Sequence, residues 1–514
     1  MEFLTDMAAK RAELTPDALA FTDHDSGLAY TFSDINVRAN QLANRLLENG
    51  LSRGDRMAVL CHNHPDFFVL LFAAQKSGVL LVPLNWRQPV AELQPILHAS
   101  KSKVLFHDDA FAVAAQGLAA NTGLELVPVG ANDDGKSALN QYLEGTTPSA
   151  PNEAAIKASA PWYLLYTSGT TGLPKAVIQT AGMATANMIN YCQATGLSTH
   201  ETGVNFLPLF HTAGINLPTL PIFLNGGSST VLRKFHPDVV LDLVNTGKVT
   251  AFFGVPAIYQ ALALSNTVAT TDFSKVRSLG CGGAPVPKHL LVDFQKRSVT
   301  ICNGMGMTET GPTVFLMDKG KAADKIGSVG KAQIMTDVRL QSSDGTVING
   351  AGEGEVQFRG PNITPGYMDN KEATLATFTV DGWLKSGDIA RRDDDGYYYI
   401  VDRIKDMYIS GGENVYPTEV EKVLDAHPAI LEAVVIGVPD EKWGEVGAAF
   451  LVPRPGEEID TAALPGWCRD HLAPYKIPKT FTVSDDLPRT AAGKVRKNIL
   501  KDSLFQKYPR GPER

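Results

Sequence analysis

Ile35, Ala39, Leu42, Ala43, Leu46 and Leu47 recur at helical spacing and put one apolar face on a predicted helix. Thr31 and Asp34 precede it at capping-box spacing, with aspartate in place of the usual glutamate or glutamine, and Gly50 ends it. A second pattern consists of short unbroken apolar runs: DRMAVLCHN, VLLVPLN, SKVLFHD, LELVPV, PWYLLYTSG and TAFFGVP. Each has strand length, and DFFVLLFAAQKSG between the first two reads as a buried helix ending at glycine. Continuous apolar strands alternating with helices predict parallel sheets covered on both faces.

After about residue 330 the pattern changes to short alternating strands with turn glycines, as in GEGEVQFRGP and DDDGYYYIVDR. From Asp406 it resets to a small unit of helix and strands, PTEVEKVLDAHPAI, LEAVVIGVPD and GAAFLVPRPG. The expected division is an N-terminal domain over 1–402, a charged, exposed hinge at 403–405 and a C-terminal domain over 406–514, without fixed-period repeats. A C-terminal unit of roughly 110 residues is an ordinary domain size.

Composition narrows the class. The 514 residues can bury about three domains' worth of core, and a 44% hydrophobic content is that of a globular chain. A formal net charge of −8 argues against a sequence-independent nucleic-acid binder. Five scattered cysteines show neither metal-ligand nor disulfide-framework spacing, which points to a reducing compartment. The N-terminus lacks an apolar signal-peptide core, and QKSG breaks the apolar stretch Phe67–Leu84 into two buried elements. The tail GPER carries no lipidation or peroxisomal signal. The expectation is a cytoplasmic protein that spans no membrane and binds no nucleic acid; a homodimer is left open.

The segment YTSGTTGLPKAV carries the first candidate chemistry. It follows an apolar strand with Thr167, Ser168, Gly169, Thr170, Thr171 and Gly172, then Pro174 and Lys175. Glycines let backbone N–H groups approach an anion, hydroxyls add donors and the lysine adds charge. It is not a Walker A loop, because Lys175 follows proline and precedes Ala176. Composition alone leaves a solvated surface loop as the alternative.

The ordered string resembles the signature of the adenylate-forming enzymes: acyl-CoA synthetases, luciferases and peptide-synthetase adenylation domains. It departs only at Ala176, where the family has glycine. Further segments match in the family's order: NGMGMTETGP (Asn303–Pro312), DGWLKSGDIA (Asp381–Ala390), VDRIKDMYISGGENVYPTEVE and LPRTAAGKVRK. The resemblance covers nearly the whole chain. It implies a large N-terminal domain with parallel sheets and a small β-barrel-like part, followed by a small mobile α+β domain.

The resemblance also implies roles. Gly283, Ala284, Pro285, Asn303, Gly304, Met305, Gly306 and Met307 would border the nucleotide, with Thr308 on the α-phosphate and Glu309 on Mg²⁺. Asp388 would accept the ribose hydroxyls, with Ile400 and Arg403 beside it. Lys494 would reach across the domain interface to the attacking carboxylate and α-phosphate. Read without the resemblance, Glu309 is a helix N-terminal acid, Asp388 a turn residue and Lys494 part of a solvated basic tail. Arg403 is then a surface partner of Asp402 or Asp406.

A carboxylate would displace pyrophosphate from ATP, and the thiol of coenzyme A would displace AMP from the acyl-adenylate. Lys494 is needed only in the first step, so the small domain would swing about Lys405 and bring Ser410, Gly411, Gly412 and Glu413 to the pantetheine passage. Trp443 would line it, or else be a buried tryptophan on the small sheet. Cys281 and Cys302 read as packing residues. Phe210 and His211 in PLFHTAG resemble the gating segment beside the acyl group, and Phe253, Gly254, Gly282 and Gly306 would shape its pocket, with Met305 and Met307 as adaptable wall. The absence of an aspartate in PLFHTAG argues against amino-acid substrates. The expected substrate is a hydrophobic monocarboxylate, a medium- or long-chain fatty acid or an aryl-propenoic acid. A stand-alone enzyme loading a carrier-protein thiol, a luciferase-type oxygenase and an inactive nucleotide-binding regulator are the alternatives.

Overall fold

The computed structural model describes residues 2–120, 122–132, 135–151, 156–167, 174–199, 201–284, 286–440, 442–490 and 494–507. A six-stranded sheet runs in the order Lys175–Thr180, Pro161–Thr167, Leu80–Pro83, Arg56–Leu60, Ser102–His107 and Glu125–Pro128. Its strands are parallel apart from the antiparallel edge Lys175–Thr180. A nine-stranded sheet has a parallel centre, Ile301–Met305, Ser278–Cys281, Ala251–Gly254, Thr202–Asn205, Ser228–Val231 and Leu19–Asp23. Its antiparallel margins are Phe315–Leu316 with Lys331–Ala332 on one side and Ala29–Thr31 on the other. The predicted parallel sheets are present, with antiparallel edges.

Two helices share the core with both sheets. Phe32–Glu48 starts at the predicted capping box, where Thr31 and Asp34 satisfy each other's backbone N–H groups. Asp66–Ser77 is buried over all 12 residues and stops at Gly78, whose φ of 76° suits glycine. A helix apolar on every side belongs between layers. Phe68 stacks on Phe21 of the nine-stranded sheet at 4.4 Å, and Trp162 of the six-stranded sheet donates to the Leu71 carbonyl at 2.6 Å. Full burial of each such aromatic side chain contributes about 2–3 kcal/mol. The buried charges of this helix are paired: Asp66 accepts from Arg38, Ser137 and the Gly130 N–H, and Lys76 meets Asp6.

The barrel-like part is a five-stranded antiparallel sheet that includes Gly352–Arg359, Leu384–Arg392 and Tyr398–Arg403. The C-terminal part packs the helix Pro417–Asp425 on a sheet of Tyr408–Ser410, Glu413–Val415, Ile430–Asp440, Gly444–Pro453 and Thr480–Val483. Between them Arg403 is partly buried, whereas Ile404 and Lys405 are exposed. Among the described residues no helix is long and apolar enough to cross a membrane.

Candidate active site

Two glycines build the turn that carries Glu309. The strand Ile301–Met305 ends at Gly306, where an added Cβ would lie 1.3 Å from the Pro312 carbonyl oxygen. No side chain fits there. At Gly304 a Cβ would meet Leu316 at 2.8 Å and the Phe315 carbonyl at 3.0 Å. The chain then forms a single 3₁₀ turn, Thr308–Thr310, closed by the Met307 N–H donating to Thr310 Oγ1 at 2.8 Å. Thr310 therefore supplies the cap, and Glu309 turns elsewhere: its Oε1 accepts from the Tyr367 hydroxyl at 2.9 Å. The Gln179 amide donates to the Thr308 carbonyl, and the Thr364 N–H to that of Glu309, each at 2.8 Å.

Lys175 opens the strand Lys175–Thr180, and its ammonium lies 5.2 Å from the centroid of the same Tyr367 ring. Thr167 pairs with Lys175 across the strands. Ala176 pairs with Tyr166 and its carbonyl accepts from the Met368 N–H at 2.8 Å, so the departure from the family's glycine is a buried strand position. Ser168, Gly169, Thr170, Thr171, Gly172 and Pro285 lie outside the described residues.

Asp388 and Arg403 oppose each other on the strands Leu384–Arg392 and Tyr398–Arg403, with Arg403 Nε 3.1 Å from Asp388 Oδ1. Burial pushes the Asp388 carboxyl up, and the Arg403 charge opposes that shift. Arg403 thus pairs neither with Asp402 nor with Asp406 as a surface partner. Asp402 is buried and accepts from the Thr418 N–H at the start of the helix Pro417–Asp425, at 2.9 Å. Ile400 pairs with Ala390 and packs on the core of the same sheet, as do Met305 and Met307.

Lys494 enters this group from the C-terminal part. Thr490 holds it twice: the Thr490 N–H donates to the Lys494 carbonyl at 2.6 Å and the Lys494 N–H to the Thr490 side-chain Oγ1 at 3.1 Å. Burial lowers the Lys494 ammonium to about 8; Arg403 and Lys405 act in the same direction, and Asp388 and Glu309 oppose them. The solvated-tail reading fails for this residue. Its basic neighbours are used elsewhere, Arg489 on Glu432 and Lys497 on Glu421.

His211 caps the short helix Thr212–Asn216, and burial, with Lys494 and Arg87 next, lowers its imidazole to about 4. It is neutral at pH 7. Phe210 lies edge-on to Trp86 at 6.1 Å. The Phe253 ring leaves no room for side chains at two positions, one in the strand Ser278–Cys281 and the other at the residue that follows it. A Cβ on Gly280 would come within 2.4 Å of the ring, and one on Gly282 within 2.6 Å of the Gly304 carbonyl and 3.1 Å of the ring. A Cβ on Gly254 would meet Ile258 at 3.1 Å, Gly283 has a φ of 83°, and Ala284 follows partly buried. Asn303 is buried with its amide donating to the Ser328 carbonyl, and Cys281 and Cys302 are buried packing residues.

Ser410 and Glu413 pair across a two-residue hairpin turn whose central Gly411 and Gly412 have φ of 62° and 88°. The Gly411 N–H donates to the Trp443 carbonyl at 2.9 Å. A Cβ on Gly411 would lie 2.9 Å from the indole of Trp443, which is 40% exposed rather than buried on the sheet. Hairpin and indole form one unit on the surface of the small domain.

The structure thus gathers Glu309, Asp388, Arg403 and Lys494 into one electrostatic cluster, with His211 close enough to sense Lys494. Tyr367, Gln179 and Thr364 were not foreseen. A proline-glycine turn is the only local mark of Tyr367, in TPGYMDN.

An AMP-binding enzyme model matches residues 8–368, and the C-terminal domain model of AMP-binding enzymes matches 419–494. The chain belongs to the AMP-binding enzyme family. A feruloyl-CoA synthase of an Amycolatopsis species is 41% identical over 492 residues, covering 96% of this chain and 97% of that one. A long-chain-fatty-acid–CoA ligase of Mycobacterium tuberculosis is 33% identical over 512 residues, covering 98% and 99%. ATP-bound MatB from Rhodopseudomonas palustris superposes with a TM-score of 0.89 at 29% identity, covering 98% and 99%. The chain is an acyl-CoA synthetase, an ATP-dependent, AMP-forming acid–thiol ligase that works through an acyl-adenylate.

Proposed function

We propose that this synthetase activates an aryl-propenoic acid of the ferulate type in preference to a long fatty chain. The observation that carries the reading is the Phe253 ring lying across Gly280 and Gly282, which would give an acyl group bound beside these residues a flat, aromatic wall. Similarity to the feruloyl-CoA synthase, 41% against 33% for the fatty-acid ligase, points the same way.

The substrate carboxylate attacks the α-phosphorus of ATP, and the bond to pyrophosphate breaks. Lys494 stabilises the negative charge gathering on the attacking carboxylate and α-phosphate, while Lys175 draws on the departing phosphates. Asp388 holds the ribose. Arg403 keeps its carboxylate ionised and aimed. His211, uncharged, borders the acyl carboxylate without contributing a proton. Glu309 suits Mg²⁺: a hard carboxylate, with Tyr367 on Oε1 and no hydrogen bond to Oε2 among the described residues. Bound there, Mg²⁺ would neutralise phosphate charge. In the second step the CoA thiol attacks the acyl carbon and AMP leaves. Rotation about Lys405, at the link 403–405 between the units 1–402 and 406–514, withdraws Lys494 and brings Ser410–Glu413 and Trp443 to the thiol's path.

AMP release with ATP, Mg²⁺ and CoA over acetate, hexanoate, octanoate, palmitate, benzoate, cinnamate and ferulate tests the proposal. The highest kcat/KM should fall on ferulate or cinnamate. A maximum at palmitate overturns the substrate assignment, and AMP release indifferent to CoA overturns the second step.

A further inference from the structure

Tyr367 touches two groups of opposite charge that the reaction uses for different ends. Its hydroxyl donates to Glu309 Oε1 at 2.9 Å, and its ring lies 5.2 Å from the Lys175 ammonium. These two residues come from different elements, the 3₁₀ turn after Ile301–Met305 and the edge strand Lys175–Thr180.

The backbone holding Tyr367 is fixed on both sides. The Ile178 N–H donates to the Gly366 carbonyl at 3.1 Å and the Met368 N–H to the Ala176 carbonyl at 2.8 Å, so Gly366–Met368 is sewn along the edge of Lys175–Thr180. Val177 and Tyr367 form the bridge between them. From the other side Thr374 Oγ1 accepts the Tyr367 N–H at 3.0 Å, and along the edge strand Thr364 Oγ1 adds a bond to the Ile178 carbonyl at 2.7 Å. The phenol is 9% exposed. Its position is therefore set by the edge strand, and through its hydroxyl it carries that position to Glu309.

We propose that Tyr367 is the positioning residue that couples the phosphate-binding lysine to the metal-binding carboxylate. The hydroxyl occupies one oxygen of Glu309 and fixes the carboxylate plane, leaving Oε2 for the cation. The ring face, negative in its quadrupole, holds the Lys175 ammonium beside it without neutralising it. Hydrogen bonds to a metal-binding carboxylate commonly govern affinity by roughly 10–100-fold. The inference rests on the assignment of Glu309 to Mg²⁺ made above.

Equilibrium binding of ATP, with and without Mg²⁺ and without acid or CoA, separates the two contacts. Tyr367→Phe keeps the ring and loses the hydroxyl. It should weaken the apparent Mg²⁺ affinity at fixed ATP by roughly 10–100-fold, and leave metal-free ATP affinity within about twofold of the parent, the size of a small context effect. Tyr367→Leu should lose metal-free ATP affinity as well. Thermal melts of both variants report whether the fold is intact, and the isosteric phenylalanine provides the decisive arm. Unchanged Mg²⁺ affinity in Tyr367→Phe, in a background where Glu309→Gln does lose Mg²⁺, overturns the coupling and spares the metal assignment. Equal losses of metal-free and metal-bound ATP affinity in Tyr367→Phe also overturn it. Unchanged Mg²⁺ affinity in Glu309→Gln overturns the metal assignment and the inference with it.

Discussion

Glu309 and Lys494, which the proposed mechanism sets on the same substrate, are held in different ways. Glu309 stands on a turn with no slack: Gly306 lies against the Pro312 carbonyl, Thr310 closes the turn, and Gln179, Thr364 and Tyr367 grip it from neighbouring elements. Lys494 is tied to its own neighbours, Thr490 on both sides of its peptide and the bridge between Arg489 and Val495, and it reaches the cluster from beyond the exposed Ile404 and Lys405. In the proposed mechanism a group used in one step of two is served by this attachment to its own unit, which can move as a whole. The role proposed for Glu309 calls instead for a fixed carboxylate, since the phosphates must be held throughout activation.

The largest effect should come from breaking the rigid side. Gly306→Ala places a methyl where the Pro312 carbonyl already is, so the turn must unfold locally. Adenylation should fall below detection, and the melting temperature should drop by several degrees. A Gly306→Ala enzyme with parental adenylation would show that the turn is not as fixed as its packing says.

A smaller loss is expected at Asp388→Asn. The amide cannot pair with Arg403 as an ion pair and offers the ribose a poorer acceptor, so KM for ATP should rise about tenfold, the cost of one charge-assisted bond, with kcat changed less. A fall confined to kcat would place Asp388 with the chemistry instead.

The mobile side is probed by Lys405→Pro, which restricts φ at the exposed link. Thioester formation from supplied acyl-adenylate should slow more than adenylation, by about fivefold or more if the domain step becomes limiting. Equal effects on both steps would argue against rotation at that residue.

The finest probe is pH. Lys494 is lowered to about 8, with Arg403 and Lys405 pushing it down and Asp388 and Glu309 holding it up. A lysine acts as a cation below its pKa, so kcat/KM for adenylation should be constant near pH 7 and fall as pH rises through about 8. His211, lowered to about 4, stays neutral across that range and adds no inflection. A flat profile up to pH 10 would show that Lys494 keeps its ordinary basicity in the site.

The two regions also differ in what their residues betray in sequence. The capping box at Thr31 and Asp34, the buried helix Asp66–Ser77 and the apolar strands are local patterns, and all appear where periodicity places them. The ordered motifs likewise locate Glu309, Asp388, Arg403 and Lys494, which the fold assembles. Tyr367 was not legible, because its bond to Glu309 spans 58 residues and that of Gln179 to Thr308 spans 129. Arg403 illustrates the same limit. Its chain neighbour Asp402 points to the other face of the strand, while Asp388 comes alongside only through the register of an antiparallel pair.

Separate measurement of the two half-reactions in Lys494→Ala tests the central claim most directly. Single-turnover formation of acyl-adenylate from acid and MgATP should fall by about 100–1,000-fold, the cost of removing one charge-stabilising group. Conversion of supplied acyl-adenylate and CoA to thioester should remain within a few-fold of the parent. Equal loss of both half-reactions would contradict an ammonium that serves adenylation and is then withdrawn.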